Sequence, residues 1–342
     1  MAEKSSSGYQ LLSRYRGELM GLAMLAVMLF HAYQLPLTAL PLRALRQMGF
    51  AGVDVFLLLS GMGIACSLYR REGEPVGRYY LRRCRRLLPA YWLVVGLYTG
   101  ALVLAGRAPA SLLFWNLTTL SYWGKIPGGF NWYISAIVVL YLLAPLYFKL
   151  FRRCRRRAWL TLAVYLVGYL VYRLTWSAGL YHLPDFLLRV PDFAMGFLLA
   201  SYVWEGRGLT GRHAAVWSAA AVCGVALVWA WRRQPVAAPL CLAVTVALVP
   251  GCLVVGKLLD ALPVRWLHRG LRAVGESSLE IYLFNVLITR EFDLLAPWLD
   301  HDPWHISFYL LAYGLNLALG ILLHRAIDAV SARLAERRRE KG

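Results

Sequence analysis

Leu19-Met20-Gly21-Leu22-Ala23-Met24-Leu25-Ala26-Val27-Met28-Leu29-Phe30-His31 opens an apolar run that continues to Leu35. The run is long enough to cross a bilayer, and it holds one ionisable side chain with nothing nearby in sequence to pair with it. A titratable group inside a membrane span is costly, so His31 needs a partner or a water-filled cavity and is a functional candidate by default.

The rest of the chain repeats the apolar theme. Of 342 residues 59% are hydrophobic and 16% charged, which excludes an ordinary soluble domain and reads as an all-α polytopic membrane protein. About ten apolar runs meet the length requirement, at 18–35, 52–69, 88–106, 131–148, 159–176, 187–204, 213–231, 237–256, 278–295 and 305–325. The first is expected to be a retained span, since no small-residue cleavage pattern follows it. Residues 107–130 are too short and too aromatic to cross twice and read as a re-entrant or interfacial element on the outer face.

A net charge of +19 would suggest nucleic acid in a soluble protein, but here its placement is a topology signal. With both termini inside (N-in, C-in), 28 of the 37 Lys and Arg fall on the cytoplasmic side. They include Lys4, Arg14 and Arg16, the seven arginines of 70–86, Lys149 with the five arginines of 152–157, and the last cluster up to Lys341. No nucleic-acid partner is implied. The six cysteines show no CxxC or Cys/His spacing, so neither a disulfide framework nor a metal site is expected. The whole of 1–342 reads as one membrane-embedded domain, with 326–342 a basic cytoplasmic tail.

Asp54 starts the second run, which goes the opposite way from the first, and is expected at a depth similar to that of His31. The two make a plausible pair in which the carboxylate holds one ring N–H and leaves the other nitrogen as a base. The alternative for Asp54 is a helix N-cap, and for His31 a bond to a backbone carbonyl. Arg82, Arg83, Arg85 and Arg86 crowd a loop at the mouth between two spans, where they could grip a polyphosphate or anchor to anionic headgroups. The equally basic stretch 152–157 shows that charge density alone does not choose between these.

The order of Phe30-His31, Gly52-Val53-Asp54-Val55-Phe56 with Leu59-Ser60-Gly61, and Tyr80-x-x-Arg83-x-x-Arg86-Leu87-x-Pro89 resembles the integral-membrane acyltransferase family 3. The resemblance continues at Trp132-Tyr133-x-Ser135, at Arg189-x-Pro191-Asp192-Phe193-x-x-Gly196 and at Gly275-x-x-Ser278-Leu279-x-Ile281-Tyr282-Leu283. It implies a ten-helix bundle that moves an acyl group from cytoplasmic acyl-CoA, acetyl-CoA being the expected co-substrate, to a hydroxyl of a surface carbohydrate. The expected setting is a bacterial plasma membrane. In that picture His31 is catalytic with Asp54, and Arg82, Arg83, Arg85 and Arg86 hold the CoA phosphates. Arg189, Asp192, Trp132 and Tyr133 belong to the acceptor side, and Ser60, Tyr282 or Asn285 donates to the developing oxyanion. The chain departs from the family pattern at Met20, where a basic residue is frequent, at Ile137 and at Asn285. Arg16, one turn further in than Met20, is the nearest substitute and joins the donor-binding arginines.

A different class, a proton-coupled exporter of a glycan precursor, would use His31 and Asp54 as a relay. It calls for inverted repeats and matched broken helices, and neither is evident in the sequence.

Overall fold

The computed structural model describes residues 8–32, 40–130, 132–231, 238–299 and 305–339, and every regular element among them is helical. Positions 33–35, 131 and 237 of the expected runs, with Lys4 and Lys341 of the basic clusters, lie outside the described residues. In chain order the helices are α1 (Gln10–Arg14), α2 (Arg16–His31), α3 (Leu40–Met48), α4 (Ala51–Arg70), α5 (Val76–Leu104), α6 (Ser111–Leu117), α7 (Trp132–Arg153) and α8 (Arg157–Ser177). There follow α9 (Pro184–Leu187), α10 (Val190–Trp204), α11 (Gly211–Trp231), α12 (Ala238–Ala261), α13 (Arg265–Glu276), α14 (Ser278–Leu299) and α15 (His305–Arg339).

Eight helical stretches among the described residues are long and apolar enough to cross a membrane: Ala51–Arg70, Val76–Leu104, Trp132–Arg153, Arg157–Ser177, Pro184–Trp204, Gly211–Ala230, Ala243–Ala261 and Tyr309–Leu334. The expected ten included two more. Of these, α2 has 16 described residues, and α14 carries Glu280, Arg290, Glu291 and Asp293 within an otherwise apolar sequence. Two amphipathic helices, α3 and α13, fall between the expected runs.

The centre of the bundle is α4, sandwiched between α2 and α10, with Leu57, Leu58, Leu59, Met62 and Phe197 withdrawn from solvent. Small residues permit this closeness. Gly61 of α4 faces the Phe193 carbonyl of α10, and Gly196 of α10 faces the Leu58 carbonyl of α4, so a Cβ at either would meet backbone. Gly21 against the Leu271 carbonyl and Gly275 against the Gly17 carbonyl bring α13 equally close to α2. By contrast α8 and α11 are peripheral and present leucine and valine outward, as at Leu166 and Val222.

Residues 107–130 fold back along α5 without crossing. The Tyr91 hydroxyl donates to the Asn116 carbonyl, Trp92 Nε1 to the Leu117 carbonyl at 3.2 Å, and Asn116 Nδ2 to Thr99 Oγ1 at 3.2 Å. From Tyr91 to Thr99 this pairs the segment with roughly 12 Å of α5.

Candidate functional site

His31 is the last residue of α2 and is half-buried. Its Nδ1 is hydrogen-bonded to Oδ1 of Asn285, a fully buried residue of α14. With an amide oxygen as acceptor, Nδ1 carries the ring proton and Nε2 keeps its lone pair, which is the tautomer a base requires. Among the described residues Asn285 Nδ2, buried beside it, has no hydrogen-bond partner. A buried donor left unpaired is costly and singles out a position where a ligand oxygen could bind.

The expected pairing of His31 with Asp54 does not form. The register of α2 against α4 sets Gly52 over Ala23 and Val27, and Gly49 over Ala26 and Phe30. Asp54 therefore lies about two turns from the level of His31. Its carboxylate is fully buried and its Oδ1 stands 3.1 Å from Arg189 Nε. Arg189 Nη1 donates to the Asp185 carbonyl at 3.0 Å, and its guanidinium lies over the Trp132 ring at 4.9 Å. Asp192 is fully buried beside Asp54. Arg189, Asp192 and Trp132 are thus drawn into a packed cluster with Asp54, and the two acidic groups and the arginine are closed off from solvent instead of forming an open rim.

The arginine run 82–86 is helical, because α5 starts directly after Pro75 and meets no breaker before Pro89. Helical phase then splits the four side chains that a loop would have left together. Arg83 and Arg86 face a cavity of about 490 Å³ that is also lined by Arg16, Ser60, Tyr133 and Tyr282. Arg82 turns to Glu74 at 2.5 Å, outside this lining, and Arg85 is exposed to solvent away from it. The Arg16 guanidinium sits over Gly63, its Nε donating to the Leu59 carbonyl at 3.0 Å. Arg83 lies over the rings of Tyr79 and Tyr141 at 5.4 and 5.9 Å. A second compartment of about 310 Å³ shares Arg16, Ser60, Arg83 and Tyr141 with the first and adds Arg70. Arg16 and Met20 line the first cavity together, so a cation is present one turn from the position where the family pattern has one.

Away from the arginines the cavity ends at Met20, Phe56, Tyr133 and Tyr282. The Tyr133 and Tyr282 rings meet edge to face with centroids 5.0 Å apart. Asn285 follows Tyr282 by three residues, about 4.5 Å further along α14. The His31–Asn285 pair accordingly stands behind the tyrosine layer, outside the cavity lining.

Three residues of the cavity region went unread in the sequence. Glu280, fully buried, accepts from Arg86 at 2.6 Å, and His324 Nδ1 lies 3.3 Å from the same carboxylate. His324 Nε2 lies 3.4 Å from Asp328, and both residues line the cavity. The rule that marked His31, an ionisable group inside an apolar run, applies equally to Glu280 in 278–295 and His324 in 305–325. Among the described residues no group of three or more His, Cys, Asp or Glu is placed to hold a metal ion.

A family profile described as an acyltransferase domain, acyltransferase 3, matches residues 19–325. Among curated proteins, the regulator of hypoxia-inducible factor 1 of Caenorhabditis elegans is 30% identical over 122 residues, which is 31% of this chain and 24% of that protein. The match therefore spans about a quarter of that relative's own length. No solved structure matches.

Proposed function

The chain belongs to the acyltransferase 3 family, and from that premise we propose that it transfers an acyl group from acyl-CoA to a hydroxyl of a carbohydrate, with His31 as the base. The chain is a multi-pass membrane protein and an acyltransferase. The finer reading adds the donor, the acceptor and the residues. One observation carries it: a cavity with Arg16, Arg83 and Arg86 at one end and a tyrosine layer at the other, directly in front of a histidine with a free ring nitrogen.

The arginine end suits the phosphates of CoA, since guanidinium groups bind phosphate through paired charge-assisted hydrogen bonds. The basic clusters support a cytoplasmic orientation of that end by the positive-inside rule, which suits a cytoplasmic acyl-CoA donor. The pantetheine arm runs toward Tyr133 and Tyr282, bringing the thioester to the side where His31 stands. An acceptor hydroxyl gives its proton to His31 Nε2 as its oxygen attacks the thioester carbonyl. The C–O bond forms, the C–S bond breaks, and the CoA thiolate takes the proton back from His31 Nε2 and leaves as the thiol through the arginine end. Asn285 Nδ2, buried beside His31 and unpartnered among the described residues, is the donor proposed for the developing oxyanion, with Ser60 and Tyr282 as cavity-lining alternatives. Movement of the tyrosine layer is required for carbon to reach nitrogen. Asp54, Arg189, Asp192 and Trp132 position α4 and α10 around this path. The exporter reading loses its relay, because Asp54 is engaged by Arg189 and not by His31.

Purified protein in liposomes with radiolabelled acetyl-CoA and a mixture of envelope polysaccharides tests the proposal. Label entering carbohydrate, or slow hydrolysis of acetyl-CoA in its absence, is expected, and proton-coupled solute flux with no acyl donor would instead favour an exporter.

A further inference from the structure

A crevice of about 580 Å³ opens between α7 and α8 over a floor made by α10, and it differs in kind from the arginine cavity. Its walls are apolar, with Leu143, Leu146, Leu150 and Phe193 prominent, and two cations, Lys149 and Arg153, stand at one end. Leu143, Leu146 and Leu150 are each at least half exposed, so the crevice faces outward from the bundle. Neither Lys149 nor Arg153 has an acidic partner among the described residues. Their neighbours differ: Arg152 pairs with Glu72 at 2.6 Å, and Arg157 pairs with Glu205.

From Leu140 to Arg153 the α7 wall measures about 20 Å at 1.5 Å per residue, close to the roughly 15 Å of one leaflet's hydrocarbon plus a headgroup. We propose that this crevice is a binding site for one anionic phospholipid, its acyl chain on Leu143, Leu146 and Phe193 and its phosphate on Lys149 and Arg153. Charge complementarity selects this occupant. A second apolar crevice of about 420 Å³, between α2, α4, α11 and α12, has no charged residue in its lining and provides an internal contrast. Anionic lipid would there have no advantage over neutral lipid. The site is independent of acyl transfer, and its test does not involve turnover.

Full-length protein exchanged into mixed phosphatidylglycerol and phosphatidylcholine nanodiscs, released and weighed intact by native mass spectrometry, reads the site directly. One retained phosphatidylglycerol is expected, with an excess over phosphatidylcholine of about tenfold or more for two cations at a membrane surface. The double variant Lys149→Gln/Arg153→Gln should bring the two lipids to near parity, while Arg155→Gln/Arg156→Gln, at exposed positions outside the lining, should leave the excess unchanged. Leu146→Trp fills the crevice from an exposed position and should displace the lipid with little effect on folding. Equal retention of the two lipids by the unaltered protein would overturn the proposal. So would an excess that survives both the charge and the filling variants, or a dimer that carries no lipid.

Discussion

Two groups of arginines and acids lie within this bundle, and they differ in access. Asp54, Arg189 and Asp192 are themselves buried, with only Asp185 at the exposed edge of the cluster, and the guanidinium is engaged by carboxylates, a carbonyl and an indole face. Around Arg16, Arg83 and Arg86 the guanidinium groups border a cavity large enough for a substrate arm. The first arrangement joins helices and is closed to solvent, whereas in the second the guanidinium groups, Arg86 held by Glu280 among them, border open space. Charge inside a membrane segment marks function only when access comes with it.

Substitutions should separate the two groups by what they damage, and the largest effect belongs to neither. Replacing His31 with Ala should lower acyl transfer by about 10²–10⁴, the span of general-base catalysis, while stability in detergent melting falls only by the about 1–3 kcal/mol that leaving Asn285 Oδ1 buried and unpaired costs. Next, Arg189→Ala leaves Asp54 buried without its cation and should cost about 3–5 kcal/mol, seen as a lower melting temperature and poor recovery of folded protein. If the arginine cavity were merely another structural cluster, Arg83→Gln would act in the same way. Instead it should leave the melting temperature in place and raise the KM for acyl-CoA about tenfold, the worth of one charge-assisted hydrogen bond.

The smallest effect concerns Arg82 and Glu74, on the solvent side of the same arginine run. Hydrogen bonding to Arg82 holds the Glu74 carboxyl below its ordinary value of 4.5. Its contribution is therefore fully present above the ordinary value and is lost as pH falls through the lowered one. Glu74→Gln should erase that part of the acid sensitivity of melting and leave the KM for acyl-CoA unaltered.

Sequence patterns made the helical class and the apolar runs legible, because each is local. The His31–Asp54 pairing failed for a nonlocal reason. Opposite chain directions bring two spans together, but the close contacts at Gly49 and Gly52 set their register, and that register offsets Asp54 from His31. Asn285 illustrates the same limit: it is hydrogen-bonded to a residue 254 positions away, and only its place after Tyr282 hinted at a role. Arg82 and Arg85 were grouped with Arg83 and Arg86 because a loop has no phase, whereas a helix sends them in different directions. Glu280 and His324 were within reach of the rule that identified His31, which applies to every apolar run and not only the first.

The most direct test of the central claim measures acetyl-CoA binding and acyl transfer side by side in reconstituted unaltered protein and His31→Ala. The account predicts equal affinity for acetyl-CoA and transfer only in the unaltered protein. Undiminished transfer by His31→Ala, or no acetyl-CoA binding by the unaltered protein, would contradict it.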